Sequence, residues 1–396
     1  MVQSVNVAWA GNEVFFFYNK VLGLTEGITQ IAPIQPGVVI GLIAVWVGIY
    51  FSIWQSARSA SKVIMVTMPL PIILVIILAT RGATLGAGSE VGLEAYLIPK
   101  LNVLGDVEVW QAAISQIFFT LTLGFGTMIA YGSYNGEDQE LVKSTYWTVF
   151  LNSSISIIAG FAVFGTIGFM SYNMVMDQGV PKALVEKYQP RGAILPEKES
   201  YSLSELKTAG VDLDRRTVAR YYLDQQKLVG PGLAFVVYPK AIAMFQPRWI
   251  AAIFGFLFFI TLVSLGIDSA FSLVEAISTA IGDEVRRHAT AVNHSVLALI
   301  VCAGGLLQGF LYSMKGGLYL LDVVDHYVTN YNLVLVGLAQ AVAVGWFFDT
   351  GKHRQYINST TNLHLGKWWE ASVRFVAPIM LVYLLANQVM IDIRQP

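Results

Sequence analysis

Eight apolar stretches recur along this chain, at 37–54, 63–80, 110–134, 147–170, 249–281, 294–313, 318–348 and 368–391. Each is near the ~20 residues an α-helix needs to cross a hydrocarbon core. A backbone in lipid must satisfy its own polar groups, which leaves helices or closed barrels as spanning structures. Runs of this length give helices, so the fold class is all-α, a polytopic membrane helical bundle. Composition agrees: 55% of the 396 residues are hydrophobic and 13% are charged, with a mean hydropathy of +0.59. A soluble core of this length uses less apolar material.

Several function classes fall away. A net charge of -1 offers no basic surface for nucleic acid. The single cysteine, Cys302, lies inside an apolar run, so no internal disulfide is possible. The histidines His288, His294, His326, His353 and His364 are scattered and have no metal-site spacing on a helix face. Nothing pairs a nucleophile with a base or cradles a phosphate, so the chain does not read as an enzyme.

Lys and Arg in short loops orient the spans. Arg58 and Lys62, Arg286 and Arg287, and Lys352, Arg354 and Lys367 all fall on one side if the chain alternates. That side is expected to be cytoplasmic in a plasma (cell inner) membrane, with Glu90, Glu94, Asp106 and Glu108 opposite. Residues 1–36 then form an extracellular segment with no signal peptide or earlier span before them, which leads to the expectation that N-terminal spans are missing. Residues 172–248 form an extracellular loop with a charged insertion at 177–228. Ser202-x-x-Glu205 within it has capping-box spacing. A small folded insertion and a partly disordered loop both fit.

The run at 110–134 contains Gly124-Phe125-Gly126, where a spanning helix should be most regular. Each glycine lowers helix propensity by roughly 1 kcal/mol, and carbonyls freed at that depth must line protein or a wet cavity. Close packing through small residues accounts for the glycines too. Around the break lie Thr120, Thr122 and Thr127, and Gln116 shares a helix face with Thr120 at i,i+4. Asn152 and Ser156 repeat that spacing on the next span, which suits either a small-ion site of neutral oxygens and amides or interhelical hydrogen bonding. The sharpest signal is Asp268, in Leu265-Gly266-Ile267-Asp268-Ser269. An intramembrane carboxylate is costly enough to imply function, and its oxygens suit a small hard cation. In the second span, Pro69 and Pro71 predict a local kink or opening.

Four motifs carry a family resemblance: 116–126 (QIFFTLTLGFG), 230–239 (GPGLAFVVYP), 265–269 (LGIDS) and 343–347 (AVGWF). In order and over nearly the whole chain they resemble the neurotransmitter:sodium symporters. The resemblance implies a leucine-transporter-like inverted-repeat fold of twelve helices, with helices one and six broken. By that similarity, 37–171 corresponds to helices four to seven and 249–396 to helices eight to eleven. The first three helices, and helix twelve, are expected to be missing.

The resemblance also implies site residues. One sodium site corresponds to Thr120 and Asn152, the other to Leu265 (by its carbonyl), Asp268 and Ser269. The substrate pocket maps to Phe119, Thr122, Phe125, Ser269 and Leu273. Chloride, a probable second ion, maps to Gln116, Thr120, Asn152 and Ser156, where chloride-independent members place an acid; the missing charge leaves room for an anion. Asp325 resembles the outer-gate acid and Asp283 the inner-gate acid. One departure is Lys62, where the family often has a glycine nine residues before the proline that is Pro71 here.

The expected function is sodium-coupled, chloride-assisted symport of amino acids or related small zwitterions by alternating access, with Na+ and Cl- as ions and lipid as surroundings. The chain is expected to be an incomplete portion. Two alternatives are half of a split transporter, completed by a separate chain carrying the missing helices, and a non-transporting membrane relic or partner.

Overall fold

The computed structural model describes residues 15–25, 27, 33–55, 57–136, 139–188, 196–225, 230–288 and 293–394. Among these, seven helices are long and apolar enough to cross a membrane: α1 (Pro36–Ile53), α2 (Ser59–Ala83), α6 (Leu141–Gln178), α11 (Arg248–His288), α12 (His294–Tyr312), α13 (Gly317–Phe347) and α15 (Lys367–Arg394). The eighth apolar stretch forms two helices, α4 (Val107–Thr120) and α5 (Thr127–Gly132), separated by a break. Shorter helices are α3 (Ala87–Leu97), α7 (Lys182–Tyr188), α8 (Leu203–Thr208), α9 (Arg215–Gln225), α10 (Leu233–Ala243) and α14 (Thr350–Thr360). The chain is a multi-pass helical membrane protein, and large apolar side chains such as Ile40, Ile129, Phe256 and Ile379 face outward into lipid.

Alternation of these spans gathers Lys62, Arg286, Arg287, Lys352, Arg354 and Lys367 on one face, the basic face. By the same alternation residues 84–106, 179–188, 196–225 and 230–247 fall on the opposite face. Helix α6 runs past the expected membrane boundary at 171/172 as far as Gln178. Its last turns are held by burial: Met170, Met174 and Val175 join one core with Val180, Leu184, Leu206 and Val218 of the region that follows. Within the charged insertion, β1 (Val180–Pro181) pairs antiparallel with β2 (Ser200–Tyr201). Helix α8 starts with the capping box that the sequence suggests: Ser202 Oγ accepts from the Glu205 N–H at 3.2 Å, and the Ser202 N–H donates to Glu205 Oε2 at 2.9 Å. Residues 189–195 and 226–229, also in the insertion, lie outside the described residues.

Small residues set the closest helix approach. Gly88 and Gly92 on α3 face Gly168 on α6, and a Cβ at Gly92 would collide with the Phe164 carbonyl oxygen, while one at Gly168 would run into the backbone of Gly92. A side chain there would force two backbones apart, and overpacking of this kind costs about 1–3 kcal/mol or more. Gly92→Leu is therefore expected to abolish the monodisperse gel-filtration peak of the detergent-purified protein, whereas Gly105→Ala, which meets open space, should leave it intact.

The capping box also titrates. The Lys198 ammonium, first, and the Ser202 N–H hold the Glu205 carboxyl down at about 2. A carboxylate whose value is lowered on folding stabilises its helix above the ordinary carboxylate range and loses that contribution as pH falls through the folded value. NMR titration should find Glu205 ionised well below pH 4, and Lys198→Met should move its midpoint upward.

Candidate functional site

The break is built by backbone conformation. Thr122, Gly124 and Gly126 have φ of 52°, 82° and 79°, in the left-handed region that glycine enters without steric cost and threonine rarely does. Gly124 also sits where a Cβ would approach the Leu333 carbonyl oxygen of α13 to 2.8 Å, so a side chain there meets both strain and a clash. Leu123 and Thr122 donate back to Phe118 and Phe119 at 3.1 and 3.0 Å, closing α4, and Ala130 donates to Gly126 at 3.0 Å, opening α5. Among the described residues, no backbone N–H donates to the carbonyls of residues 120–125. At membrane depth these oxygens require protein, water or an ion as partner.

The two arms of the break have different anchors. Arm α4 leans on α13 and α15, where Phe118 packs with Leu333, Val334, Leu381 and Leu384, and Phe119 and Phe125 rest on that cluster. Arm α5 is bonded to α11: Tyr131 Oη donates to Ser272 Oγ at 2.8 Å, and Tyr134 Oη donates to the buried Glu275 carboxylate at 2.8 Å. Ser272 Oγ in turn donates to the Asp268 carbonyl at 2.8 Å.

Helices α4 and α6 bring Thr120 and Asn152 together. Asn152 Nδ2 donates to Thr120 Oγ1 at 3.0 Å, and Asn152 Oδ1 lies 3.5 Å from the same hydroxyl. Ser156 lies one turn along, and its hydroxyl donates to the Asn152 carbonyl at 3.0 Å. Gln116 is exposed on the same side of α4 and makes no hydrogen bond among the described residues. This cluster presents hydroxyls and amides, which can turn oxygens toward a cation or hydrogens toward an anion.

Asp268 lies mid-way along the continuous helix α11, with exposed Leu265 and Ser269 and half-buried Leu273 around it. Its Oδ1 accepts from Thr67 Oγ1 on α2 at 2.5 Å. That hydroxyl also lies 2.9 Å from the Val63 carbonyl, so its one proton has two acceptors. Bonds to charged groups contribute roughly 1.5–3 kcal/mol, so the carboxylate is the stronger acceptor. Thr67 stands two residues before Pro69, next to the one-residue interruption at Met68 where the Ala57–Thr67 and Pro69–Ala83 parts of α2 meet. Sequence reasoning missed this partner, although the prolines marked its location. Among the described residues no hydrogen bond joins the Thr120–Asn152 pair to Asp268. The two acids assigned to gates lie apart from both clusters: Asp325 is exposed on α13, and exposed Asp283 lies 3.9 Å from Arg286 on its own helix.

A break with unbonded carbonyls, a hydroxyl–amide pair and a membrane-depth carboxylate together fit the comparisons with known proteins. The sequence profile of the sodium:neurotransmitter symporter family matches residues 2–395. A sodium-dependent transporter of Methanocaldococcus jannaschii is 31% identical over 380 residues, covering 95% of this chain and 66% of the relative. The sodium- and chloride-dependent glycine transporter 2 of Xenopus laevis is 28% identical over 379 residues, covering 95% of this chain and 41% of its own length. The sodium- and chloride-dependent GABA transporter 2 of Bos taurus is 32% identical over 341 residues, with 85% and 48% covered. The chain thus spans 41% to 66% of the length of these relatives. With the helix break, the polar groups on its neighbouring helices and a profile match over nearly its whole length, the chain belongs to the sodium:neurotransmitter symporter family.

Proposed function

We propose that this protein serves sodium-coupled symport of amino acids or related small zwitterions by alternating access, with chloride assisting, in the plasma membrane and with its basic face toward the cytoplasm. The observation that carries the reading is the interrupted helix, whose carbonyls at 120–125 accept no backbone hydrogen bond among the described residues and so remain able to bind an ion or a solute. The sodium- and chloride-dependent glycine and GABA transporters among its relatives support both ions.

In this reading Thr120 and Asn152 supply one sodium site, with the amide turned so that Oδ1 faces the cation. The Leu265 carbonyl, Asp268 and Ser269 supply the other. Binding there replaces water around a hard cation with fixed oxygens and neutralises the carboxylate, whose charge is otherwise costly at this depth. Phe119, Thr122, Phe125, Ser269 and Leu273 line the solute pocket: Thr122 and the open backbone take the charged ends of a zwitterion, and the rings exclude water. Donors from Gln116, Thr120, Asn152 and Ser156 hold chloride, which offsets the positive charge of sodium. Asp325 and Asp283 guard the two openings. Sodium binding favours the state in which the break is ordered around its ligands, and a ligand shifts such an equilibrium only by its difference in affinity for the two states.

Two substitutions test the ion assignments in vesicles from cells producing the protein. Asp268→Asn keeps the shape but removes the charge, and is expected to lower sodium-driven uptake at least tenfold, a loss of roughly 1.4 kcal/mol or more of cation binding; uptake unchanged in both rate and sodium dependence would exclude the site. Ser156→Glu places a fixed carboxylate where the anion is proposed to sit, and should allow uptake when chloride is replaced by gluconate. A chloride requirement as strict as before would remove chloride from the proposal.

A further inference from the structure

Arm α4 is held at its first turns by one face of α15. Tyr383 Oη donates to the Val107 carbonyl at 3.2 Å, Asn387 Nδ2 donates to Gln111 Oε1 at 2.9 Å, and Gln111 Nε2 donates to Gln388 Oε1 at 3.3 Å. Asn387 is buried at 7% exposure, so its amide has a strong reason to keep that partner. Gln388 passes the linkage on, its Nε2 donating to Asp392 Oδ1 at 2.9 Å. The other Asp392 oxygen accepts from Tyr331 Oη at 2.6 Å and lies 2.9 Å from His326 Nε2, both on α13. A chain of hydrogen bonds therefore runs from the first turns of the broken helix to a histidine–carboxylate pair. His326 and Asp392 are 38% and 31% exposed, which lets water reach both.

We propose that His326, Asp392 and Gln388 are positioning residues that fix the α4 arm against α13 and α15, and that protonation of His326 tightens this clasp. The inference rests on the transport reading only for its consequence, since an arm that moves at the break is what alternating access requires. Neutral His326 already gives the Asp392 carboxylate a charge-assisted hydrogen bond, and the imidazolium adds to it the Coulomb attraction of opposite charges in contact. Protonation at Nδ1 needs one adjustment nearby: the Asn330 amide, whose Nδ2 now lies 3.4 Å from Nδ1, turns to offer its oxygen. Tyr327 and Tyr331 meet the ring edge-on. The other charged groups on the three helices near this end are Asp322 and Asp325 on α13, Arg394 on α15, and Glu108 with the adjacent Asp106 at the start of α4. Arm α5, bonded to α11 instead, is not part of the clasp, so the break is the joint between a clasped arm and a separately anchored one.

The test is a distance, which needs neither sodium nor transport. Nitroxide labels on Val109→Cys and Met390→Cys, both at exposed positions, in a Cys302→Ala background and lipid nanodiscs, report the separation of α4 from α15. The expected result is a long-distance population that roughly doubles between samples at about pH 5.5 and about pH 7.5, the interval over which histidine is the side chain able to change charge. His326→Gln keeps a donor but cannot be protonated, and should show one distribution at every pH. Gln388→Leu should show the long distance throughout. A distribution unmoved by pH in the otherwise native protein, or a pH response that survives His326→Gln, overturns the clasp. If Gln388→Leu does not fold, the comparison of the native residue with His326→Gln still decides. Failure here leaves the Asp268→Asn result untouched, so the clasp and the ion site stand or fall separately.

Discussion

Inside a bilayer, a backbone carbonyl without a donor is costly for a helix to carry, and the break at residues 121–126 leaves several. A soluble protein would hydrate such a segment at no cost. Here the segment is tolerable only if its oxygens face water, protein or an ion. The rest of the structure can be read from that requirement. The left-handed positions at Thr122, Gly124 and Gly126 create the opening. The helices around it then supply polar groups that spans surrounded by lipid would lack: Asn152 on α6, Asp268 on α11 and Thr67 on α2.

The anchoring of the two arms gives the opening a mechanical meaning. Arm α4 belongs with α13 and α15 through an apolar cluster and the Tyr383, Asn387 and Gln388 contacts. Arm α5 belongs with α11 through Tyr131 and Tyr134. A continuous helix would lock those two groups together, whereas an interrupted one lets them shift relative to each other about a few residues, as hinge motions do. The glycine seam between α3 and α6 has the opposite character, because backbones in direct contact leave no room to slide. Rigid and jointed regions are thus both written in glycine, distinguished by φ and by what a Cβ would meet.

Much of this was legible in the sequence because lipid makes its demands locally. Apolar runs near twenty residues marked the spans, Gly124-Phe125-Gly126 marked the interruption, and a lone acid at 268 stood out against apolar neighbours. The capping box at Ser202 and Glu205 was equally plain, since its partners are three residues apart. Contacts between distant segments were not legible. Thr67 reaches Asp268 across 201 residues of chain, and an isolated threonine in an apolar run gives no hint of its partner. The packing of the end of α6 is another such contact: Met170, Met174 and Val175 look like the tail of a span, yet they are buried against the insertion that follows.

The central claim is that the backbone at 121–126 meets water within the membrane. Amide hydrogen exchange on the protein in lipid nanodiscs, resolved to single residues by fragmentation, tests it directly. The account predicts fast exchange at Gly124, Phe125 and Gly126, whose N–H groups make no backbone bond among the described residues, while α4 on one side, and α11 around Asp268 on the other, stay protected. Protection at Gly124, Phe125 and Gly126 equal to that of the flanking helices would mean a dry, fully bonded segment, and would contradict it.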